Sequence, residues 1–182
     1  MQPHFPKCYF FNSFFYGKLS KNSSTADQTY ETVRKWTRRV DLFDMDMLLI
    51  PIHRTAHWVC GVVDFRHKYM FYLDSLHGSP GKFFEHMKNY LERESLDKRK
   101  VPFEFTPDWK FLSPSNIPGQ MNGFDCGMFA IQYAECLSRS SPFKREPIHE
   151  LFDFNQSHIS FLRRKCQYEL ITGKLLDSYS TK

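Results

Sequence analysis

The sequence predicts an α+β fold. Three short apolar runs rich in Val and Ile, "DMLLIPIH" at 46–53, "HWVCGVVDF" at 57–65 and "YMFYLD" at 69–74, read as neighbouring strands. "SPGKFFEHMKNYLERESL" at 79–96 sets Phe83, Met87, Tyr90 and Leu91 at helical spacing with charge elsewhere, the pattern of an amphipathic helix. Helical signals return at 126–138 and 158–176.

In chain order, the N-terminal "MQPHFPKCYFFNSFFYGKL" has an apolar patch, but neither a basic region before it nor a small-residue cleavage site after it, so no secretory signal is read. "SKNSSTADQT" at 20–29 reads as a polar loop, and "TYETVRKWTRR" after it has the cap residue and spacing of a short helix. The polar break "DFRHK" separates the second and third runs as a hairpin turn. "VPFEFTPDWKFL" at 101–112 reads as another strand, and residues 113–124, rich in Pro, Ser, Asn and Gly, as a loop.

A chain of 182 residues fits one domain, 1–182, able to bury a core of its own. With 41% hydrophobic and 17% aromatic residues it is too apolar for a disordered tail, yet no run approaches the roughly 20 apolar residues that span a bilayer. A soluble protein with no membrane partner is expected. The five cysteines are odd in number and contain no C-x-x-C pair, which argues against a disulfide framework or a zinc ribbon and for a reducing compartment. The net charge of +5 comes from dispersed clusters, "KWTRR", "KRK" and "RRK", without a recognisable nucleic-acid motif. An acidic partner face suits such a surface, and no nucleic acid is expected.

The chemistry concentrates around Cys126. If a helix begins there, the thiol lies at the positive end of the helix dipole, which favours the thiolate. A buried free cysteine is equally an ordinary core residue, and what distinguishes the two is a supply of partners. A turn centred between Phe65 and Arg66 would place His57 directly opposite Asp74 on one face of the hairpin, with Cβ atoms about 5 Å apart. That pair suits a base and its orienting carboxylate, and equally an ordinary cross-strand polar contact. Gln120, six residues before Cys126, could join the Cys126 N–H in holding an oxyanion, or be a solvated loop residue. Gly119, Gly123 and Gly127 would permit a close backbone approach and a sharp turn into the helix. No metal site is expected: His57 and Cys60, three apart on a strand, face opposite sides, and His4 with Cys8, His53 and His67 lack grouped partners.

The residues resemble the ubiquitin-like-specific (sentrin-specific) cysteine proteases that process the small ubiquitin-like modifier SUMO. The likeness runs through "CYFFNSFFYGKL", "VRKWTRRVDLF", "LLIPIHRTAHWVCGVVDF", "YLDS", "IPGQMNGFDCGMFAIQYAECL" and "FLRRKCQYELITGKLL". Its most specific part is the order His, Asp, Gln, Cys, with Q-x-N-G-x-D-C-G around the cysteine. The resemblance implies a papain-like fold of the ubiquitin-like protease type, with a central mixed sheet flanked by helices and the nucleophile at a helix N-terminus. It implies Cys126 as nucleophile, His57 as general base, Asp74 as its orienting group and Gln120 as oxyanion donor. It further implies that Trp58, which the strand pattern alone makes a core aromatic facing away from His57, closes over the Gly-Gly tail of the modifier. By the same likeness Trp36, Phe14 and His53 meet the modifier surface, although the first two also suit a core and His53 a solvated strand end.

The partners implied are SUMO precursors and SUMO-conjugated proteins, with no cofactor, a monomeric state and a nuclear or nucleocytoplasmic location. Relatives usually carry an upstream helical segment with an L-N-D-E-like motif and a tunnel-wall tryptophan, and nothing before Pro6 resembles it. One alternative is therefore an inactive or truncated modifier-binding module; another keeps the chemistry and makes the chain a protease for another ubiquitin-like protein.

Overall fold

In the computed structural model, which describes residues 5–21, 25–139 and 148–176, a five-stranded mixed sheet carries helices on both faces. Its order follows the chain: β1 (Cys8–Phe10), β2 (Met47–Arg54), β3 (His57–Asp64), β4 (Tyr69–Leu73) and β5 (Lys110–Leu112). β2, β3 and β4 are antiparallel neighbours, and the short outer strands β1 and β5 pair in parallel with β2 and β4.

The near-continuous apolar sequence of the central strands is explained by burial on both faces. Leu48, Ile50, Ile52, Val59, Val63, Met70 and Tyr72 pack against α1 (Phe15–Leu19), α2 (Ala26–Glu31) and α3 (Phe83–Lys98). Met47, Leu49, Cys60, Val62, Phe71 and Leu73 point the other way, into a second core with α4 (Cys126–Arg139) and α5 (Ile159–Thr172). The pleat thus divides one apolar sequence into two cores, and α4 lies over the second with its N-terminus at the sheet's end.

Three expectations need correction. The turn between β3 and β4 is centred between Arg66 and His67, because the ladder pairs Asp64 with Tyr69 and ends at Cys60 with Leu73. The loop closes through the Asp64 carboxylate, which accepts from His67 N, and Lys68 adopts a left-handed φ of 57°. His57 and Asp74 are therefore diagonal rather than directly opposite, an even shift that leaves both on one face. The strand expected at 101–112 is confined to Lys110–Leu112. Pro102 and Pro107 remove ladder donors, and Phe103, Phe105 and Trp109 instead cluster edge to face.

The polar loop expected through residue 29 already contains a helix. Thr25 caps it by accepting from Gln28 N, and α2 runs Ala26–Glu31 before a 3-10 turn at Arg34–Thr37. Tyr30 from α2 and Thr37 from the turn both donate to the buried Glu94 carboxylate of α3, which also pairs with Lys98. Two of the cationic clusters, 98–100 and 163–165, are largely engaged in such pairs: Arg99 with Asp41 and Asp44, Arg163 with Asp125, Lys165 with Glu135. Among the described residues, no helix is long and apolar enough to cross a membrane.

Candidate active site

The site forms where β3 begins, β4 ends and α4 starts. β2 and β3 are joined by a two-residue turn in which Ala56 adopts φ 56°, so His57 is the first residue of its strand, opposite Arg54. Asp74 follows the last residue of β4 and has left the ladder. Its carboxylate, 4% exposed, accepts from His57 Nε2 at 2.7 Å and Leu76 N at 2.8 Å on Oδ1, and from Gly78 N at 3.2 Å on Oδ2. A carboxylate only accepts, so the neutral imidazole carries its proton on Nε2 and leaves the Nδ1 lone pair free to act as a base. Arg54 steadies the following loop by donating to the Ser79 carbonyl and the Tyr72 hydroxyl.

Cys126 opens α4, so its N–H belongs to the first turn and has no intrahelical acceptor. A methyl group at Gly127 would lie 3.6 Å from Trp58 Cδ1, which sets the Trp58 indole beside that turn. Trp58 is half-buried and faces His53 directly across the β2–β3 ladder, their rings 4.6 Å apart. Both stand on the α4 side of the sheet, so Trp58 is a wall over the helix start rather than a core aromatic. Burial pushes the Cys60 and Cys136 thiols up to about 12, which keeps them protonated at neutral pH.

The loop before α4 fixes Gln120. Its Oε1 accepts from Ser75 Oγ at 2.6 Å, its backbone N–H donates to the Ser75 carbonyl, and its Nε2 donates to the Asn122 carbonyl. A carbonyl can only accept, so the amide orientation is determined, and the second Nε2 hydrogen is left for a ligand. Asn122 Oδ1 accepts from Phe124 N and Asp125 N, a tight polar turn leading into the helix. Asp125 is also buried. Burial opposes its ionisation, but donation from Asn122, Gln156 and Arg163 holds its carboxyl below the usual carboxylate range.

Of the residues expected from the sequence, the structure joins His57 to Asp74 and His53 to Trp58, and places Cys126 at a helix start with Gln120 in the preceding loop. Trp36 and Phe14 lie elsewhere, around α1. Trp36 packs beside Phe15, with Lys18 Nζ 5.9 Å from its ring centre, while the adjacent Phe14 is 71% exposed. Ser75, Asn122, Asp125, Gln156 and Arg163 were not singled out from the sequence. "YLDS" and "NGFD" contain the first three, but Gln156 and Arg163 are more than 30 residues from the loop they reach, at separations of 31 and 38 residues from Asp125. Among the described residues, no group of His, Cys, Asp and Glu could hold a metal ion.

A mixed sheet ending in a carboxylate-held imidazole, with a cysteine at the start of a packed helix, is the architecture of the papain-like cysteine proteases. Residues 3–175 match the family model described as the Ulp1 protease family, C-terminal catalytic domain. The chain belongs to this Ulp1 family of cysteine proteases. It is 36% identical over 172 residues to a sentrin-specific protease of Caenorhabditis elegans and 35% identical over 174 residues to sentrin-specific protease 2 of Pongo abelii, each alignment covering 94% of the chain. These alignments cover only 22% and 27% of the two relatives, so the chain spans about a quarter of their length.

Among solved structures, it is similar to a SUMO protease Ulp1 with its catalytic cysteine oxidised to a sulfonic acid, at TM-score 0.71 and 27% identity, covering 93% of this chain and 71% of that one. It is also similar to the C-terminal Ulp1 protease domain solved in complex with Smt3, the yeast orthologue of SUMO, at TM-score 0.68 and 25% identity, covering 92% and 69%.

Proposed function

We propose that the chain is a single catalytic domain that cleaves after the C-terminal Gly-Gly of SUMO, releasing the modifier from substrate lysines and trimming its precursors. The observation that carries this reading is the 2.7 Å bond from His57 Nε2 to Asp74 Oδ1, which leaves Nδ1 as the basic nitrogen in a site where Cys126 begins α4 and Gln120 has an oriented amide.

In the mechanism, His57 Nδ1 takes the Cys126 proton and the thiolate attacks the carbonyl of the modifier's last glycine. The C–S bond forms while the carbonyl π pair moves onto oxygen. The Cys126 N–H and the free Gln120 Nε2 hydrogen meet that oxyanion. Collapse breaks the C–N bond, and the amine leaves with the proton from His57, giving a thioester. Water, deprotonated by His57, then attacks the thioester, and the thiol leaves with a free modifier carboxylate.

The leaving amine is the ε-amine of a lysine or the α-amine of a precursor tail, so one site serves both reactions. Trp58 and His53 cover the narrow Gly-Gly tail, and Trp36 and Phe14 meet the body of the modifier. The location in the cell is nuclear or nucleocytoplasmic, on the strength of the resemblance alone.

The test mixes the purified chain with a SUMO probe ending in a vinyl sulfone, beside Cys126→Ser and a ubiquitin probe. A SUMO adduct that needs Cys126 is expected. A folded chain that forms no adduct, or labels ubiquitin equally well, overturns the assignment.

A further inference from the structure

The loop from Gln120 to Cys126 is held from outside by two residues of the C-terminal segment. Gln156, at the start of a 3-10 turn before α5, uses both ends of its amide: Oε1 accepts from Met121 N at 2.7 Å, and Nε2 donates to Asp125 Oδ2 at 2.9 Å. Arg163, one turn into α5, donates through Nη2 to Asp125 Oδ1 at 2.6 Å. Gln156 therefore grips the loop at the residue after Gln120 and, with Arg163, at the residue before Cys126. Between these points Asn122 closes the circuit, donating to Asp125 Oδ2 at 2.7 Å and accepting from Gln120 Nε2 on its carbonyl.

The Asp125 carboxylate is not used as a helix cap. Its backbone carbonyl accepts from Phe129 N in the first turn of α4, whereas the carboxylate takes side-chain donors from three separate places. The platform behind it is firm. Asn155 accepts from Ser157 N, and its own N–H donates to His158 Nδ1, closing a capping box around the turn that presents Gln156. Phe154, Ile159 and Leu162 are buried against Phe129 of α4 and its neighbours, with Phe154 and Phe129 rings 5.5 Å apart.

We infer that Gln156 and Arg163 are positioning residues that set the oxyanion hole by clamping the Gln120–Cys126 loop to α5. The inference rests on the proposed protease reading, because only an oxyanion makes the spacing of the Gln120 amide and the Cys126 N–H matter. The clamp acts after the nucleophile is formed: it stabilises the tetrahedral intermediate without touching the modifier or the imidazole.

The experiment compares two reactions of the same site. One is hydrolysis of SUMO carrying a C-terminal coumarin amide. The other is alkylation by SUMO carrying a C-terminal 2-bromoethylamide, where Cys126 sulfur bonds to carbon, bromide leaves, and no oxyanion forms. Gln156→Ala is expected to lower kcat for hydrolysis about tenfold or more, short of the roughly 100- to 1000-fold of a deleted oxyanion donor because the donor is displaced rather than removed, with KM and the alkylation rate near wild type. Arg163→Gln should act in the same direction, and Arg163→Lys should restore most of the rate. In the double variant Gln156→Ala with Gln120→Ala, the loss should be little larger than that of Gln120→Ala alone.

Gln156→Glu provides a second route if Gln156→Ala folds poorly, because it keeps the acceptor for Met121 N and turns the Asp125 contact repulsive. Equal losses in hydrolysis and alkylation, unchanged hydrolysis, or fully multiplicative losses in the double variant overturn the clamp. A wild-type chain inert in both reactions instead removes the protease reading, and the clamp falls with it.

Discussion

Replacing Asp74 by Asn changes one atom in a carboxylate with three donors, and the geometry limits how the amide can respond. With its oxygen in the Oδ1 place, it keeps the bonds from His57 Nε2 and Leu76 N, now at 2.7 and 2.8 Å, and turns its NH₂ towards Gly78 N–H, where Oδ2 accepts at 3.2 Å. With the amide reversed, the NH₂ meets both close donors and forces the imidazole proton onto Nδ1, which abolishes the base. The first orientation loses only the longest bond, about 1 kcal/mol, so it dominates and preserves the tautomer.

What it removes is charge. An imidazolium and a carboxylate 2.7 Å apart attract by about 6 kcal/mol at an effective dielectric of about 20. The amide oxygen retains a neutral hydrogen bond, and His57, with 16% of its side chain exposed, recovers part of the remainder from water. A net loss of about 2–4 kcal/mol in the ion-pair state is expected, which converts to about 30- to 1000-fold in kcat. KM should hold, because Asp74 is buried behind the imidazole. The assay is steady-state hydrolysis of SUMO coumarin amide at neutral pH, with a thermal scan to confirm folding. A folded Asp74→Asn chain with kcat within about threefold of wild type would refute the role of the carboxylate.

Two further outcomes follow from packing and charge. A methyl group at Gly61 would lie 2.6 Å from Phe83 Cζ and 3.0 Å from Ile52 Cδ1, both fully buried, so Gly61→Ala should cost about 1–3 kcal/mol. That should lower Tm by roughly 2–12 °C in a chain of this size, and an unchanged Tm in a thermal scan would show that β3 and α3 have slack. Asp125 and Asp153 have carboxyls held below their usual range: burial opposes ionisation in both, but Asn122, Gln156 and Arg163 overcome it at Asp125 and Arg139 at Asp153. The stability they contribute is complete above the ordinary carboxylate value of about 4 and is lost as pH falls through the depressed folded values. Tryptophan fluorescence should therefore show acid unfolding of wild type beginning below about pH 4, with a shallower pH dependence in Asp125→Asn; equal slopes would mean that Asp125 does not contribute.

Much of the site is legible because its chemistry is local in sequence. The loop "GQMNGFDCG" carries its own turn residues, and the apolar runs at 46–53, 57–65 and 69–74 differ from β2, β3 and β4 by no more than a residue at either end. Errors arise where a local signal competes with packing. "DFRHK" gives no single turn centre until the Asp64 carboxylate selects His67 as its donor. "PFEFTPDW" alternates as a strand does, yet its aromatics pack with one another and beneath Lys88, whose Nζ lies 5.7 Å from the Phe105 ring centre. "STADQT" looks like loop until Tyr30 finds Glu94 across the core. The first decision is settled within three residues, by Asp64 and His67, but the other two cannot be taken by a residue and its near neighbours alone.

The same distinction separates the proposed reacting groups from those that hold them. His57, Asp74, Gln120 and Cys126 come from strand ends, one loop and a helix start, places where a side chain can face substrate, and their residue types alone suggest chemistry. Gln156 and Arg163 are ordinary polar residues on a segment whose apolar side fills the second core. A helix that packs on α4 through Leu162 has its adjacent position, Arg163, at the rim of that contact, and the rim is where the Asp125 carboxylate lies. Packing of the second core therefore brings α5 and the oxyanion loop together, and the polar clamp uses an approach that hydrophobic burial has already fixed. On this view, a core substitution such as Leu162→Ala should weaken hydrolysis through the same loop that Gln156 holds, whereas substitutions on the opposite core, beneath α3, should change stability and leave the partition between hydrolysis and alkylation unmoved.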